Sequence, residues 1–212
     1  MMSKRLKPCF RVVRTTFASA TLLAAASFSS TFASPLEDGI NAYSRRDYAT
    51  AMRLLRPLAE RGDASAQTHL GAMYQNGLGV QRSHVQAALW YRKAAEQGND
   101  LGQDSLGLLY ESGLGVRQSY AEAIKWTLMA AKQGNSAAQD RLSDSYEVGL
   151  GVPQNYILAY MWQSVAGHYP VRREKLESHM TPSQIAEAQD LAQQCIESHY
   201  ENCPATVSNR GR

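Results

Sequence analysis

The sequence has few cysteines and no long uninterrupted apolar run. Three cysteines in 212 residues exclude a fold held together by many disulfides. The most apolar stretch, residues 16–32, is broken by serine and threonine. It is barely as long as the roughly 20 apolar residues that a transmembrane helix needs. A membrane anchor is therefore the weaker interpretation of this stretch.

The chain also lacks an excess of basic charge outside its N-terminus. It has 22 Lys and Arg residues against 19 Asp and Glu residues, but five of the bases and none of the acids lie in residues 1–33. The remainder has 17 bases and 19 acids, a net charge of −2 with His neutral. The composition therefore gives no case for binding to nucleic acid or to an anionic membrane surface.

Residues 1–33 have the pattern of a secretory signal peptide. Basic residues between Lys4 and Arg14 precede an apolar and small-residue segment, and Thr31-Phe32-Ala33 ends in a residue suited to cleavage. We expect cleavage after Ala33, no stable membrane insertion afterwards, and a periplasmic or secreted mature protein.

A four-residue stretch, Gly-Leu-Gly-Val, occurs at 77–80, 113–116 and 149–152, 36 residues apart each time. A fixed period of this length is typical of a solenoid. It predicts three repeats, at 63–98, 99–134 and 135–170, after an atypical N-terminal repeat at 34–62. The stretch has no lysine and no serine or threonine placed to hold a phosphate, so we predict a turn and no cofactor.

Each repeat has the pattern of two amphipathic helices. Some columns are identical in all three copies, and the leucine and tyrosine of the first helix stand four residues apart, on one face. These columns are Gln67/Gln103/Gln139, Leu70/Leu106/Leu142 and Tyr74/Tyr110/Tyr146 in the first helix, and Ala87/Ala123/Ala159, Trp90/Trp126/Trp162 and Ala94/Ala130/Ala166 in the second. The glycines of the turn favour a left-handed helix cap. The fold class is therefore all-α, and the aromatic residues are predicted to be core.

The pattern changes after the third repeat, whose second helix we expect to end at Tyr169-Pro170. Residues 171–203 are predicted to form capping helices, because Thr181-Pro182-Ser183-Gln184 has the residues of a capping box. Residues 204–212 are expected to be a disordered tail.

The repeats resemble the Sel-one-like repeat (SLR) family, a relative of the tetratricopeptide repeat. The resemblance rests on Leu70-Gly71, Tyr74, Gly77 to Val80, Ala87, Trp90-Tyr91, Lys93-Ala94-Ala95 and Gln97-Gly98, with departures at Ser143 and Gln163. It implies a right-handed α-solenoid that serves as an adaptor for protein partners. The third repeat is expected to pack less regularly at its two departures.

Cys195, His199 and Cys203 are spaced four residues apart. On a continuous helix the cysteines would lie about 12 Å apart, too far for a disulfide. A disulfide therefore requires the helix to end between Glu197 and Tyr200. An exported compartment favours this disulfide, and a zinc site made of the three side chains is the alternative.

No catalytic constellation stands out. The five histidines have no recognised zinc-ligand spacing, and a Gly-x-Ser-x-Gly elbow is absent. We therefore predict no metal, no catalytic residues and no enzymatic activity.

A helical-wheel argument places the binding surface on the first helices, which would line a concave face. The predicted contact residues are the non-core positions Thr68, His69, Met73, Asp104, Ser105, Leu109, Arg141, Asp144 and Ser145. Because their charge is mixed, we expect a protein or peptide partner. Family resemblance leaves two alternatives: an inhibitor or immunity protein for a periplasmic toxic effector, or an enzyme acting on β-lactams or cell wall.

Overall fold

A computed structural model describes residues 34–167 and 170–206. The predicted leader, His168, Tyr169 and residues 207–212 of the predicted tail lie outside the described residues. Within the described residues the chain forms ten helices and no strand, which confirms the all-α prediction.

Eight of these helices form four helix-turn-helix pairs. The first helices are α1 (Pro35–Ser44), α3 (Ala64–Asn76), α5 (Asp100–Ser112) and α7 (Ser136–Val148), and the second helices are α2 (Tyr48–Glu60), α4 (His84–Glu96), α6 (Tyr120–Ala131) and α8 (Tyr156–Ala166). Helices α2, α4 and α6 each pack on their own first helix and on the first helix of the next pair. The result is an α-solenoid. It is followed by α9 (Pro170–Glu177) and α10 (Pro182–Glu197).

Each of these eight helices begins after a polar side chain that accepts a hydrogen bond from the backbone N–H three residues later. The capping residues are Ser34, Asp47, Asp63, Ser83, Asn99, Ser119, Asn135 and Asn155. Such a cap contributes about 1 kcal/mol to helix stability. Local sequence therefore fixes where each helix starts.

The Gly-Leu-Gly-Val turns have two separate functions. Their first glycine ends the first helix in the left-handed conformation, with φ between 70° and 86°, as predicted. Their second glycine lies against the start of the preceding second helix: a Cβ on Gly115 would lie 2.3 Å from the carbonyl of His84, and one on Gly151 2.6 Å from that of Tyr120. The turn is therefore also an inter-repeat contact.

Small residues in the first helices let the paired helices approach closely. A Cβ on Gly71 would meet the ring of Tyr91 at 2.7 Å. In the third repeat Ser143 replaces this glycine, and its hydroxyl donates to the Ala159 carbonyl at 2.9 Å. Because Ser143 is fully buried and bonded, packing is maintained at this departure from the repeat pattern.

A buried glutamine joins each repeat to the previous one. The side-chain N–H groups of Gln67, Gln103 and Gln139 donate to the carbonyls of Ala59, Ala95 and Ala131 at 3.0, 3.2 and 3.1 Å. In turn, Gln67 and Gln103 accept from Gln97 and Gln133. The three glutamines are at most 3% exposed, so their bonds to the three carbonyls are made away from solvent.

The C-terminal end differs from the sequence prediction in one place. Helix α8 ends at Ala166, because Gly167 adopts a φ of 73°, and Pro170 begins α9. The prediction that this helix ends at Tyr169-Pro170 is therefore wrong. The predicted capping box of α10 is confirmed, since Thr181 and Gln184 exchange both hydrogen bonds, and α10 packs on α8.

We predict that Gly115→Ala lowers the free energy of unfolding by more than Gly98→Ala. Both glycines have a positive φ, which costs alanine about 1–2 kcal/mol, but a Cβ on Gly98 has nothing within 4 Å. At position 115 the clash with His84 should lower the free energy of unfolding by a further amount of about 1–3 kcal/mol, because the new Cβ overpacks the contact. Urea unfolding followed by circular dichroism measures both. Equal losses for the two variants would contradict the inter-repeat role of the second glycine.

Candidate functional site

Several predicted contact residues lie too deep to form a binding surface. Met73 and Leu109 are fully buried, and Thr68 and Ser145 are 8% exposed. The prediction is wrong for Met73 and Leu109, because their position on the helix belongs to the core. The surface column lies one residue earlier and contains Ala72, Leu108 and Asp144. Of the predicted residues, His69, Asp104, Ser105 and Arg141 are part-exposed and Asp144 is exposed.

Helix α5 places two leucines on this surface. Leu101 is 53% and Leu108 36% exposed, and their spacing of seven residues puts them on one side of the helix. The equivalent residues of α3 and α7 are Ser65 and Ala72, and Ala137 and Asp144. We call these six residues, together with the part-exposed His69, Ser105 and Arg141 beside them, the first-helix face. Its centre is apolar.

Most charges around the first-helix face are already paired. The guanidinium of Arg141 donates to both carboxylate oxygens of Asp104 at 3.0 to 3.2 Å, joining α7 to α5. Asp144 forms an ion pair with Arg172 of α9. Nearby Glu147 is bound by Lys175 at 2.7 Å and by Arg172 at 3.5 Å. These pairs neutralise Arg141, Asp144 and Glu147 at the centre and at the α7 end of the face.

One buried position of the second helix holds a different residue in each of the three repeats. In the first repeat Tyr91 is buried, and its hydroxyl donates to Gln75 Oε1 at 2.8 Å. In the third, Gln163 donates to Asp140 at 3.1 Å. In the second, the residue is Thr127, whose buried hydroxyl has no hydrogen-bond partner among the described residues. Sequence analysis noted the change at Gln163 and missed Thr127, although the alignment of repeats contained it.

Burial also sets the chemistry of Tyr91. Loss of hydration raises the pKa of its hydroxyl to about 12, with a smaller lowering by a hydrogen bond to Ser105 and a further rise from Tyr43. The neutral hydroxyl of Tyr91 on α4 donates to Gln75 of α3.

The structure pairs Cys195 with Cys203, with their Cα atoms 4.6 Å apart. Helix α10 ends at Glu197, and His199 and Tyr200 have positive φ values that turn the chain back. Both cysteines are at most 2% exposed, and His199 is exposed. In this arrangement no thiolate remains to bind zinc.

Residues 34–167 and 170–206 contain neither a metal-binding cluster nor a membrane-spanning helix. No group of three or more His, Cys, Asp or Glu side chains there could hold a metal ion. None of the helices in these ranges combines the length and the apolar character needed to cross a bilayer.

Comparison with known families decides the relationship. The profile of the family described as Sel1 repeat matches residues 36–63, 64–99, 101–135 and 136–162. The chain belongs to the Sel1 repeat family. Proteins of this family are typically scaffolds for protein–protein interaction, and the fold is generally non-catalytic.

Solved structures agree with this assignment. A protective antigen of uropathogenic Escherichia coli with an SLR fold is 30% identical, with a TM-score of 0.67, over 82% of this chain and 43% of the antigen. A Sel1 repeat protein from Oxalobacter formigenes is 35% identical, with a TM-score of 0.60, over 63% of this chain and 53% of that protein. The chain thus spans about half the length of these structures or less. No curated protein sequence gives a significant match.

We predict that stability falls between pH 10 and pH 12 in a way that depends on Tyr91. A tyrosine in the unfolded chain loses its proton near pH 10, whereas folded Tyr91 keeps it to about pH 12. The stabilisation is therefore complete below pH 10 and is lost as pH rises to 12, by roughly 2–3 kcal/mol. Urea unfolding of the wild type and of Tyr91→Phe should show a steeper decline for the wild type. Parallel curves would rule out this assignment.

Proposed function

We propose that this protein is a non-catalytic scaffold that binds a protein or peptide through the first-helix face. The observation that carries the proposal is the exposed pair Leu101 and Leu108 on α5. Because about half of Leu101 and about a third of Leu108 is still exposed, each would gain about 0.5–1.5 kcal/mol if a partner covered the rest. The flanking residues Ser65, Ala72 and Ala137 are small, so a partner side chain can reach the leucines from either side.

The charges at the edge of this face favour a partner with some basic character. Glu37 and Asp38 of α1 are exposed at its N-terminal end. The bond between Arg141 and Asp104 and the ion pair between Asp144 and Arg172 neutralise the charges on the other side. A segment with apolar side chains at its centre and a Lys or Arg towards α1 fits this distribution.

Export to the periplasm or the exterior is the second part of the proposal. It is supported by the signal-peptide pattern of residues 1–33 and by the pairing of Cys195 with Cys203, since structural disulfides persist mainly in oxidising compartments.

We predict that Leu101→Glu/Leu108→Glu weakens peptide binding at least tenfold. Peptides of about 12 residues, selected from a random phage-displayed library on the wild-type chain, provide the probe. The substitutions would place two carboxylates where the peptide covers two apolar side chains in the wild type. A tenfold loss of affinity corresponds to about 1.4 kcal/mol of binding free energy. Titration of the selected peptides, measured by fluorescence anisotropy, gives the dissociation constants.

Val85→Glu/Leu89→Glu is the matched control for this variant. These two residues are 56% and 50% exposed on the second helix α4, away from the first-helix face. The control should bind within twofold of the wild type. If both double variants lose affinity equally, or neither does, the first-helix face is not the binding surface.

We also predict the mass of the protein recovered from the extracytoplasmic fraction. The chain should begin at Ser34 and be 2 Da lighter than its reduced form, since a disulfide removes two hydrogens. Intact mass spectrometry with and without reductant measures both. Retention of the leader contradicts export, and two free thiols with bound zinc contradict the disulfide.

A further inference from the structure

A small pocket lies between α5, α6 and α7, at the position that Tyr91 fills one repeat earlier. Its cavity volume is about 10 Å³, which is room for one water-sized group. Tyr120 and Leu150 contribute to its walls and are 39% and 36% exposed, so the pocket reaches the surface.

The pocket contains two acceptors without donors. The hydroxyl of Thr127 is buried, with the residue 1% exposed, and has no hydrogen-bond partner among the described residues. Glu111 occupies the place of Gln75, the acceptor for Tyr91 one repeat earlier. Within the described residues no ion pair or hydrogen bond involves its carboxylate. The buried, unpaired hydroxyl of Thr127 costs about 1–3 kcal/mol, and the carboxylate of part-exposed Glu111 adds a second acceptor for a donor from outside.

A carboxylate distinguishes this pocket from the first repeat, and in the third repeat the equivalent Glu147 is already bound by Lys175 and Arg172. The first repeat pairs a tyrosine with neutral Gln75, whereas the second offers the carboxylate of Glu111. Arg141 also lines the pocket, but Asp104 binds its guanidinium through both carboxylate oxygens and neutralises it. A compact cation with several N–H donors matches a carboxylate, a hydroxyl and the neighbouring ring of Tyr120.

We propose that this pocket binds the ε-ammonium group of a lysine side chain on the protein partner. An ammonium group is close to water in size, and its three N–H donors match the two acceptors, Glu111 and Thr127, that line the pocket. The inference rests on the proposed function, since the lysine belongs to the protein or peptide that the scaffold binds.

The test uses Nα-acetyl-lysine N-methylamide as the probe and two-dimensional NMR of the 15N-labelled mature chain. Saturable shifts of the backbone amides of Glu111, Thr127 and Leu150 are expected at pH 7. The Nε-acetylated probe, which lacks the charge, should give none. Glu111→Gln should weaken binding at least tenfold, because it removes the charge and keeps the shape of the side chain.

Thr127→Tyr is a second variant, which rebuilds the first-repeat arrangement and should abolish the shifts by filling the pocket. If it fails to fold, Glu111→Gln still decides. The proposal would be overturned if no shifts appeared at probe concentrations up to about 50 mM, which is about 50 times a millimolar dissociation constant. Shifts that both variants retain would overturn it as well.

The two proposals can fail separately. If the displayed peptides bind and depend on Leu101 and Leu108 but are indifferent to Glu111→Gln, the pocket proposal falls and the scaffold stands. If the lysine probe binds while the displayed peptides ignore both leucines, the pocket stands and the first-helix face falls.

Discussion

The hydrogen bonds of one buried glutamine per repeat hold the solenoid in register. Gln103 is 1% exposed, donates to the Ala95 carbonyl of the preceding repeat and accepts from Gln133, close to the repeat that follows. A one-residue shift between neighbouring repeats would leave an amide and a carbonyl buried without partners. Apolar packing alone tolerates such a shift much better, because it is not directional. The register is therefore specified by polar groups within an otherwise apolar interface.

The repeat period made most of the fold predictable. Gly-Leu-Gly-Val and the recurring leucine, tyrosine and tryptophan positions gave the helix pairs, their order and the left-handed caps at Gly77, Gly113 and Gly149. The contact of Gly115 with His84 was not predictable, because it joins residues of different repeats. The end of α8 was also missed, since Gly167 and Pro170 both offered a stop and the glycine comes first.

The surface was less predictable than the core. A helical wheel separates the two sides of a helix, but neighbouring columns differ by 100° and the boundary depends on how repeats stack. Met73 and Leu109 therefore entered the core, while Leu108 stayed outside. The informative signal was a departure from the repeat pattern. Thr127 of the second repeat stands where the first repeat has Tyr91, so this position has a different structural role in the two repeats and can also differ in function.

Helix α10 covers the last of the four repeats. It packs on α8 through Ala188, Ala192 and Cys195, while its other side carries exposed glutamines and acids such as Glu187 and Asp190. Identical units that stack on one another have no intrinsic limit and would add further copies at an open apolar end. A helix with one apolar and one hydrated side stops this growth. Helix α10 thus covers the apolar side of α8 and leaves a hydrated surface after the last repeat.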